Sequence, residues 1–279
     1  MTDRYAENMS RSATEAHRLD EQFDLLTENI GYLLHPSIVK ALPRKPRVAD
    51  VGTGTGAFLR RIQEMYPEAT LHGYDISSAL YPEPSTIPEG MDFKVFDAKA
   101  QVSEELRGTY DLVHVRLLAA AMLPDDWSRS VFNVAQLLKP GGSLQWEECD
   151  WSGVKHLRGS VDSSVSAAQL MGRAFRDGLR LHFEHGWDTL PQDMSAAGLV
   201  SVRSDMVSSD RVPATRKRMT VNGMVAIFAW AHLMTSRNRP GSMTFEKLAE
   251  LETDVKRDIE SGCYVRFDVY VVCGLKPVA

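Results

Sequence analysis

The spacing of apolar positions changes twice in the first part of the chain. From Ala13, residues Leu19, Phe23, Leu26, Ile30 and Leu33 return every three or four positions, with Arg18, Gln22 and Glu28 on other faces. That spacing predicts an amphipathic helix. Residues 1–12 are polar, show no such period and are expected to be loose. His35-Pro36-Ser37-Ile38 opens a second, short helix, because proline is favoured just inside a helix start, and Pro43 and Pro46 end it. An apolar run, Val48 to Val51, then leads into glycines at alternate positions, Gly52, Gly54 and Gly56. Ala57, Phe58, Leu59 and Ile62 follow at helical spacing up to Pro67, so the stretch reads as strand, tight turn and helix.

Thr70 to Tyr74 is the second predicted strand, with Asp75 at its carboxyl end. The β-α-β unit so formed makes a parallel sheet nearly obligatory. Met91 to Phe96 is the third strand, ending at Asp97; Tyr110 to Val115, almost wholly apolar, is the fourth and a central one. Ser128 to Leu138 is a helix that Lys139-Pro140-Gly141-Gly142 ends, passing into a fifth strand, Ser143 to Trp146. Beyond Asp150 the alternation changes. A long helix is expected over Ser163 to His185 and a short one over Leu190 to Ala197, then a sixth strand, Leu199 to Val207, and a seventh, Tyr264 to Leu275. Helical material, Thr220 to Ser236 and Thr244 to Ser261, fills the interval, and an excursion of that length usually covers a site.

Composition narrows the partners more than the fold. A hydrophobic share of 43% with 25% charged residues suits a globular protein, and a net charge of −5 argues against binding a phosphate backbone. A small-molecule partner is favoured, with no nucleic acid; a homodimer is left open. Cys149, Cys263 and Cys273 are odd in number and lack metal-ligand spacing, so neither a disulfide framework nor a metal site is expected. Met1 to Glu28 is peppered with charge, and the longest apolar runs, Leu117 to Leu123 and Met224 to Ala231, are too short to cross a bilayer. No membrane insertion and a cytoplasmic location are therefore expected.

The glycine turn is the candidate chemistry. Glycines there keep Cβ atoms away from a ligand, and the first N–H groups of the following helix point into the space. Gly52, Gly54 and Ala57 satisfy G-x-G-x-x-A, and Asp75 lies about twenty residues on, where an acid meets a ribose hydroxyl in dinucleotide-binding folds. A nicotinamide-dependent oxidoreductase is thus one reading. Other acids suit S-adenosylmethionine (SAM): Asp50 before the turn, for a charged amino group, and Asp97 after the third strand, for an adenine amino group.

Asp50-Val-Gly-Thr-Gly-Thr-Gly56, Tyr74-Asp75-Ile76, Phe96-Asp97-Ala98, Tyr110-Asp-Leu-Val-His-Val-Arg116 and Leu138-Lys-Pro-Gly-Gly-Ser-Leu-Gln-Trp146 occur in that order. Together they resemble class I SAM-dependent methyltransferases over roughly residues 46 to 151. Arg18-Leu-Asp-Glu-Gln22 and Gln145-Trp-Glu-Glu148 look like the fungal secondary-metabolism branch that includes LaeA-like proteins. The resemblance implies a Rossmann-like α/β three-layer sandwich, its seven-stranded sheet mostly parallel, with an antiparallel last strand slotted between the sixth and the fifth. The domain layout expected is an N-terminal helical lid over residues 1–45 and a SAM-binding domain over 46–279, with helical cap insertions near 155–190 and 215–262; the excursion between the sixth and seventh strands departs from the simplest version of the family.

By the same resemblance, Gly52, Thr53, Gly54 and Gly56 approach the methionine part of SAM beside Asp50. Asp75 takes the ribose hydroxyls, Ile76 packs on adenine, and Asp97 with Ala98 receives the adenine amino group. Arg116, at the sheet's ligand-binding end, clamps a carboxylate or pairs with Asp111, Asp125 or Glu148. His114 is either a core histidine or a proton acceptor. Glu148 is a candidate to orient a substrate hydroxyl or amine and Trp151 to stack on a flat ring, with His182, Phe228 and Trp230 as further acceptor-pocket candidates. The first helix either packs or turns His17, Arg18, Gln22 or Tyr32 towards the ligand. The expected activity is methyl transfer to oxygen or nitrogen, with sulfur as runner-up, of a small hydrophobic secondary metabolite. The alternatives are a SAM-binding cyclase or regulator that does not methylate, and the oxidoreductase.

Overall fold

Ser12 and Gly31 bracket the first long helix. The Ser12 hydroxyl accepts from Glu15 N, and Gly31 closes the other end at φ 90°. In the computed structural model, which describes residues 3–278, this helix is α2 (Ala13–Ile30); α1 (Tyr5–Asn8) precedes it and α3 (Pro36–Ala41), with proline in its first turn, follows. The next stretch alternates as expected: β1 (Arg47–Val51), α4 (Ala57–Met65), β2 (Thr70–Asp75), β3 (Met91–Val95), β4 (Tyr110–Arg116), α5 (Trp127–Gln136) and β5 (Leu138–Cys149). The later part holds β6 (Lys155–Arg158), α6 (Ser166–Gly178), α7 (Arg180–Phe183), α8 (Leu190–Ala196), β7 (Val200–Ser208), α9 (Arg216–Ser236), α10 (Phe245–Glu260), β8 (Cys263–Arg266) and β9 (Asp268–Leu275).

Seven strands form one sheet in the order β3-β2-β1-β4-β5-β9-β7. β1 to β5 are mutually parallel, and β9 runs antiparallel to both β5 and β7. Period-two alternation sends neighbouring residues to opposite layers. Ala49, Val51, Val113 and Val115 pack with Val131 and Val134 of α5 and Met194 of α8. Val48, Leu71 and Leu112 pack with Phe58, Leu59 and Ile62 of α4 and Leu26 and Ile30 of α2. The result is the three-layer, Rossmann-like sandwich that the resemblance implied.

β5 takes in Lys139–Gly142, expected to precede it, and runs past Trp146 to Cys149, and three other segments differ from expectation. Residues 3–12 are not loose throughout: Tyr5 donates to Glu15, Arg11 binds Asp3 through two nitrogens, and Arg237 holds the carbonyls of Ala6 and Glu7. The helix predicted over Ser163 to His185 begins only at Ser166 and divides at Leu179. The seventh predicted strand splits at Phe267, whose N–H and carbonyl both pair with Ser209. Its first part, β8, leaves the main sheet and pairs antiparallel with β6, a strand too short to register as a period.

α6, α9 and α10 share a core of their own, with Met171, Ile227, Phe228, Leu248 and Val255. Asp258 of α10, 4% exposed, ties it together: its carboxylate accepts from the Ala167 and Ala168 N–H groups at the start of α6 and from the Ser164 hydroxyl. Replacing it strands buried donors, so Asp258→Ala is expected to cost about 2–3 kcal/mol. Urea unfolding measures this; a loss below about 0.5 kcal/mol would mean that the contacts carry no net stability.

Candidate active site

The carboxyl ends of β1 to β4 open onto one cavity of about 270 Å³, close to the small end of small-molecule sites. It lies where the strand order reverses between β1 and β4, which is where open α/β sheets bind ligands. Its floor carries Asp50, Gly52, Thr53, Gly54, Asp75, Ile76, Asp97, Ala98 and Arg116. Nine of the ten positions expected to hold a cofactor therefore face one space.

The exception is Gly56. All three turn glycines have positive φ, 75°, 53° and 78° for Gly52, Gly54 and Gly56, so each position is strained for an L side chain. Their surroundings differ. A Cβ on Gly52 would strike Leu118 at 2.5 Å and one on Gly56 would strike Phe93 at 2.7 Å, whereas one on Gly54 would meet nothing within 4 Å. Only Gly54 leaves its space to a ligand. Gly56 is a glycine because of its backbone and Phe93.

Asp75 sits beside that space. Its carboxylate accepts from Gly54 N and Ser77 N, and the Arg11 guanidinium is 3.5 Å away. Burial raises its pKa, while Arg11 and the two N–H groups oppose the rise. Arg11, Tyr5 and Met9 also line the cavity. No hydrophobic period marks them, and sequence reasoning missed them.

A buried charge chain holds the other acids. His114 Nδ1 is 2.7 Å from Asp50 Oδ1, and its ring stacks on Phe58 with centroids 3.6 Å apart. His114 Nε2 is 3.5 Å from Glu147, which also contacts Arg116 Nε at 2.5 Å and accepts from Gln145. With a carboxylate at each nitrogen, both ring atoms are best served as N–H donors. Burial works against the charged ring, but Asp50 and Glu147 outweigh it and raise the pKa. Glu147, fully buried, would be pushed up by burial but is held at about 2 by Arg116 and His114. His114, with Asp50 bonded to one ring nitrogen and Glu147 facing the other, is placed to fix Asp50.

Arg116 pairs with Glu147, not with Asp111, Asp125 or Glu148. Asp111 is taken by Lys139 and by Arg47 N. The guanidinium lies over the Phe23 ring and donates Nη1 to Phe23 O and Thr27 Oγ1, joining the sheet to α2. Its Nη2 is buried with no partner among the described residues, and so is Thr53 Oγ1. Unmet buried donors beside a cavity suit an anionic ligand group.

Four expected pocket residues lie elsewhere. Glu148 is fully buried away from the cavity, its carboxylate accepting from Leu118 N and Cys149 N. His182 is turned to Met122 O. On α9 the cavity face is Met219, Asn222, Gly223, Ala226 and Ile227. Phe228 is rotated about 100° from Ile227 into the helical core. Trp230 continues the cavity face one turn too far and closes edge-on against Phe175. Trp151 does line the cavity, with Phe175, Phe183 and Phe267, none of which the sequence pattern singled out. Arg18 and Gln22 of α2 face it too, whereas Tyr32 turns away to Asp205.

Residues 48–142 match the profile of the Methyltransferase domain family. Over these residues, and in its fold, the chain is similar to the class I SAM-dependent methyltransferases. Within that class the chain is similar to fungal secondary-metabolism proteins. It is 40% identical to Methyltransferase grgD of a Penicillium species over 50% of this chain and 52% of that one. It is 33% identical to N-methyltransferase sirN of Leptosphaeria maculans over 47% and 45%. It is 25% identical to the secondary metabolism regulator laeA of Gibberella zeae over 81% and 73%. The chain spans about half the length, or less, of the first two curated relatives it matches. Among solved structures, the [4+2]-cyclase SpnF aligns over 93% of this chain and 94% of that one, with a TM-score of 0.51 at 16% identity, which shows the fold alone. The matches do not favour the oxidoreductase or the non-methylating SAM binder.

Glu148 carries a testable consequence. Burial lifts its pKa from 4.5 to about 8, with the backbone donors opposing. A carboxyl whose folded pKa is raised gives stability that is full below pH 4.5 and is lost as pH climbs through about 8. Glu148→Gln removes that titration. The stability difference between the two proteins should therefore move in favour of the variant by about 4 kcal/mol between pH 5 and 9. Urea midpoints across this range measure it, and parallel curves would show that Glu148 ionises normally.

Proposed function

We propose that this chain binds SAM over its glycine turn and transfers the methyl group to an oxygen or nitrogen of a small, apolar secondary metabolite. The observation that carries the proposal is one continuous cavity with two unlike halves. One half is polar and shaped by the sheet ends; the other is walled by Trp151, Phe175, Phe183, Phe267, Val265 and Ile227.

The polar half fits the cofactor's groups. Asp50, anchored by His114, offers its second oxygen to an ammonium. Arg116 Nη2 offers an unmet donor to a carboxylate, Asp75 two acceptor oxygens to a ribose diol, and Asp97 an acceptor to an adenine amino group. When bound, SAM supplies an electrophilic methyl group on a cationic sulfur that leaves as a neutral thioether. The protein's part is then to hold the acceptor in line and exclude water. In this reading residues 1–45 act as a lid, with Arg11 and Arg18 on its inner side, and the segments near 155–190 and 215–262 form the cap. The names of grgD and sirN support a methyltransferase, and that of sirN favours nitrogen as one acceptor atom. Among the described residues no helix is long and apolar enough to cross a membrane, and we place the reaction in the cytoplasm.

Asp75→Ala should weaken SAM binding at least about 30-fold, the equivalent of losing hydrogen bonds to one charged group. Calorimetry with SAM alone tests this, with Asp75→Asn as the partial-loss control. Equal affinity in wild type and Asp75→Ala would reject the assignment.

A further inference from the structure

On the helical side of the cavity most polar side chains are already engaged. Arg18 donates to Glu15 and Asn222, Asn222 donates to Arg18 O, and the Tyr5 hydroxyl donates to Glu15. Arg176 reaches the carbonyls of Ser152 and Val154. His156 of β6 differs. It lines the same cavity and is 5% exposed, and its hydrogen bond to Gln169 uses the main-chain carbonyl. No partner among the described residues takes either ring nitrogen, and neither nitrogen is sealed off within the protein.

The fold makes room for this ring. A Cβ on Gly172 of α6 would stand 2.6 Å from His156 Cε1 and 2.8 Å from Nδ1, so only glycine lets the imidazole lie there. Trp151, Val154, Phe175 and Phe267 line the same cavity. Burial lowers the pKa of His156 to about 4; Asp258 of α10 opposes this and Arg176 of α6 adds to it. The imidazole is therefore neutral at physiological pH and has a lone pair to offer.

Resting on the methyl-transfer reading, we propose that His156 receives the acceptor. One ring nitrogen accepts a hydrogen bond from the O–H or N–H of a flat, ring-bearing acceptor stacked in this chamber, and takes that proton as the acceptor is methylated. The acceptor's lone pair becomes the new bond to carbon, and the pair of the broken carbon–sulfur bond stays on sulfur. The displaced proton goes to His156, and the imidazolium returns it to water when product leaves. The acceptor class is thereby narrowed to protic nucleophiles, a phenol-like hydroxyl or a primary or secondary nitrogen, and excludes thioethers and tertiary amines.

The test uses the full chain with histidines labelled at Cε1 and observed by NMR, the His156 signal being identified by its loss in His156→Gln. The expected result is a His156 signal that titrates near pH 4 and shifts on adding 2-naphthol. 2-Methoxynaphthalene, the same ring system without the O–H, should shift it at least about fivefold less. His156→Phe should bind 2-naphthol at least about tenfold more weakly, with SAM affinity within about twofold of wild type, and His156→Gln, which keeps an acceptor oxygen, should recover part of the loss. Equal shifts with the two naphthalenes, no shift with either 2-naphthol or 2-naphthylamine, or an unchanged naphthol affinity in His156→Phe would overturn the proposal. Should His156→Phe fail to fold, the wild-type shifts decide. Loss of SAM binding in the wild type would instead reject the methyl-transfer reading and leave the naphthol result to stand by itself.

Discussion

Four ionisable groups in a row, Asp50, His114, Glu147 and Arg116, hold this end of the sheet together. They come from the ends of β1, β4 and β5, alternate acid with base and are almost wholly buried. Taking such groups from water costs several kcal/mol each, and the chain is tolerable only because each member neutralises the next. Its geometry follows from strand register: Asp50 is opposite His114, and Arg116 opposite Glu147. At the two ends of the chain, one oxygen of Asp50 and the Nη2 of Arg116 have no hydrogen-bond partner among the described residues. Rigidity at those two atoms is therefore a property of the sheet.

The same chain reaches out of the sheet. Arg116 donates to Phe23 O and Thr27 Oγ1, so a change at the cavity floor is felt by α2. Asp20 repeats the connection at the glycine turn, where it accepts from Thr55 and Arg60. α2 is held from its other side through Arg18 and Asn222 of α9 and through Asn29, which pairs with Thr215 and Val212. The cover of the cavity is thus one hydrogen-bonded layer built from both ends of the chain.

Local pattern explains how much of this was legible. The glycine turn, Asp75, Ile76, Asp97 and Ala98 follow strands whose apolar runs are unmistakable, and a residue that ends a parallel strand has few places to go. Gly56 was misjudged because positive φ and closeness to a ligand both ask for glycine, and only the position of Phe93 distinguishes them. Glu148 was misjudged for a related reason. The fifth strand was expected to end at Trp146, which left Glu148 free beyond it, but β5 runs on to Cys149 and both of its faces are covered at that point.

The order of strands, the turn and the acids at its rim were determined by the sequence alone, because hydrophobic period, glycine and strand-end position are local quantities. The apolar side of the cavity was decided only by tertiary structure. Trp151, His156, Phe175, Ile227 and Phe267 come from five separate segments that share no spacing. They meet because α6, α9 and α10 bury a common apolar core over the sheet's edge and because Gly172 has no side chain to keep the imidazole out. Which face of a buried helix borders a cavity depends on what packs against the remaining faces, and that is settled only when the whole chain has condensed.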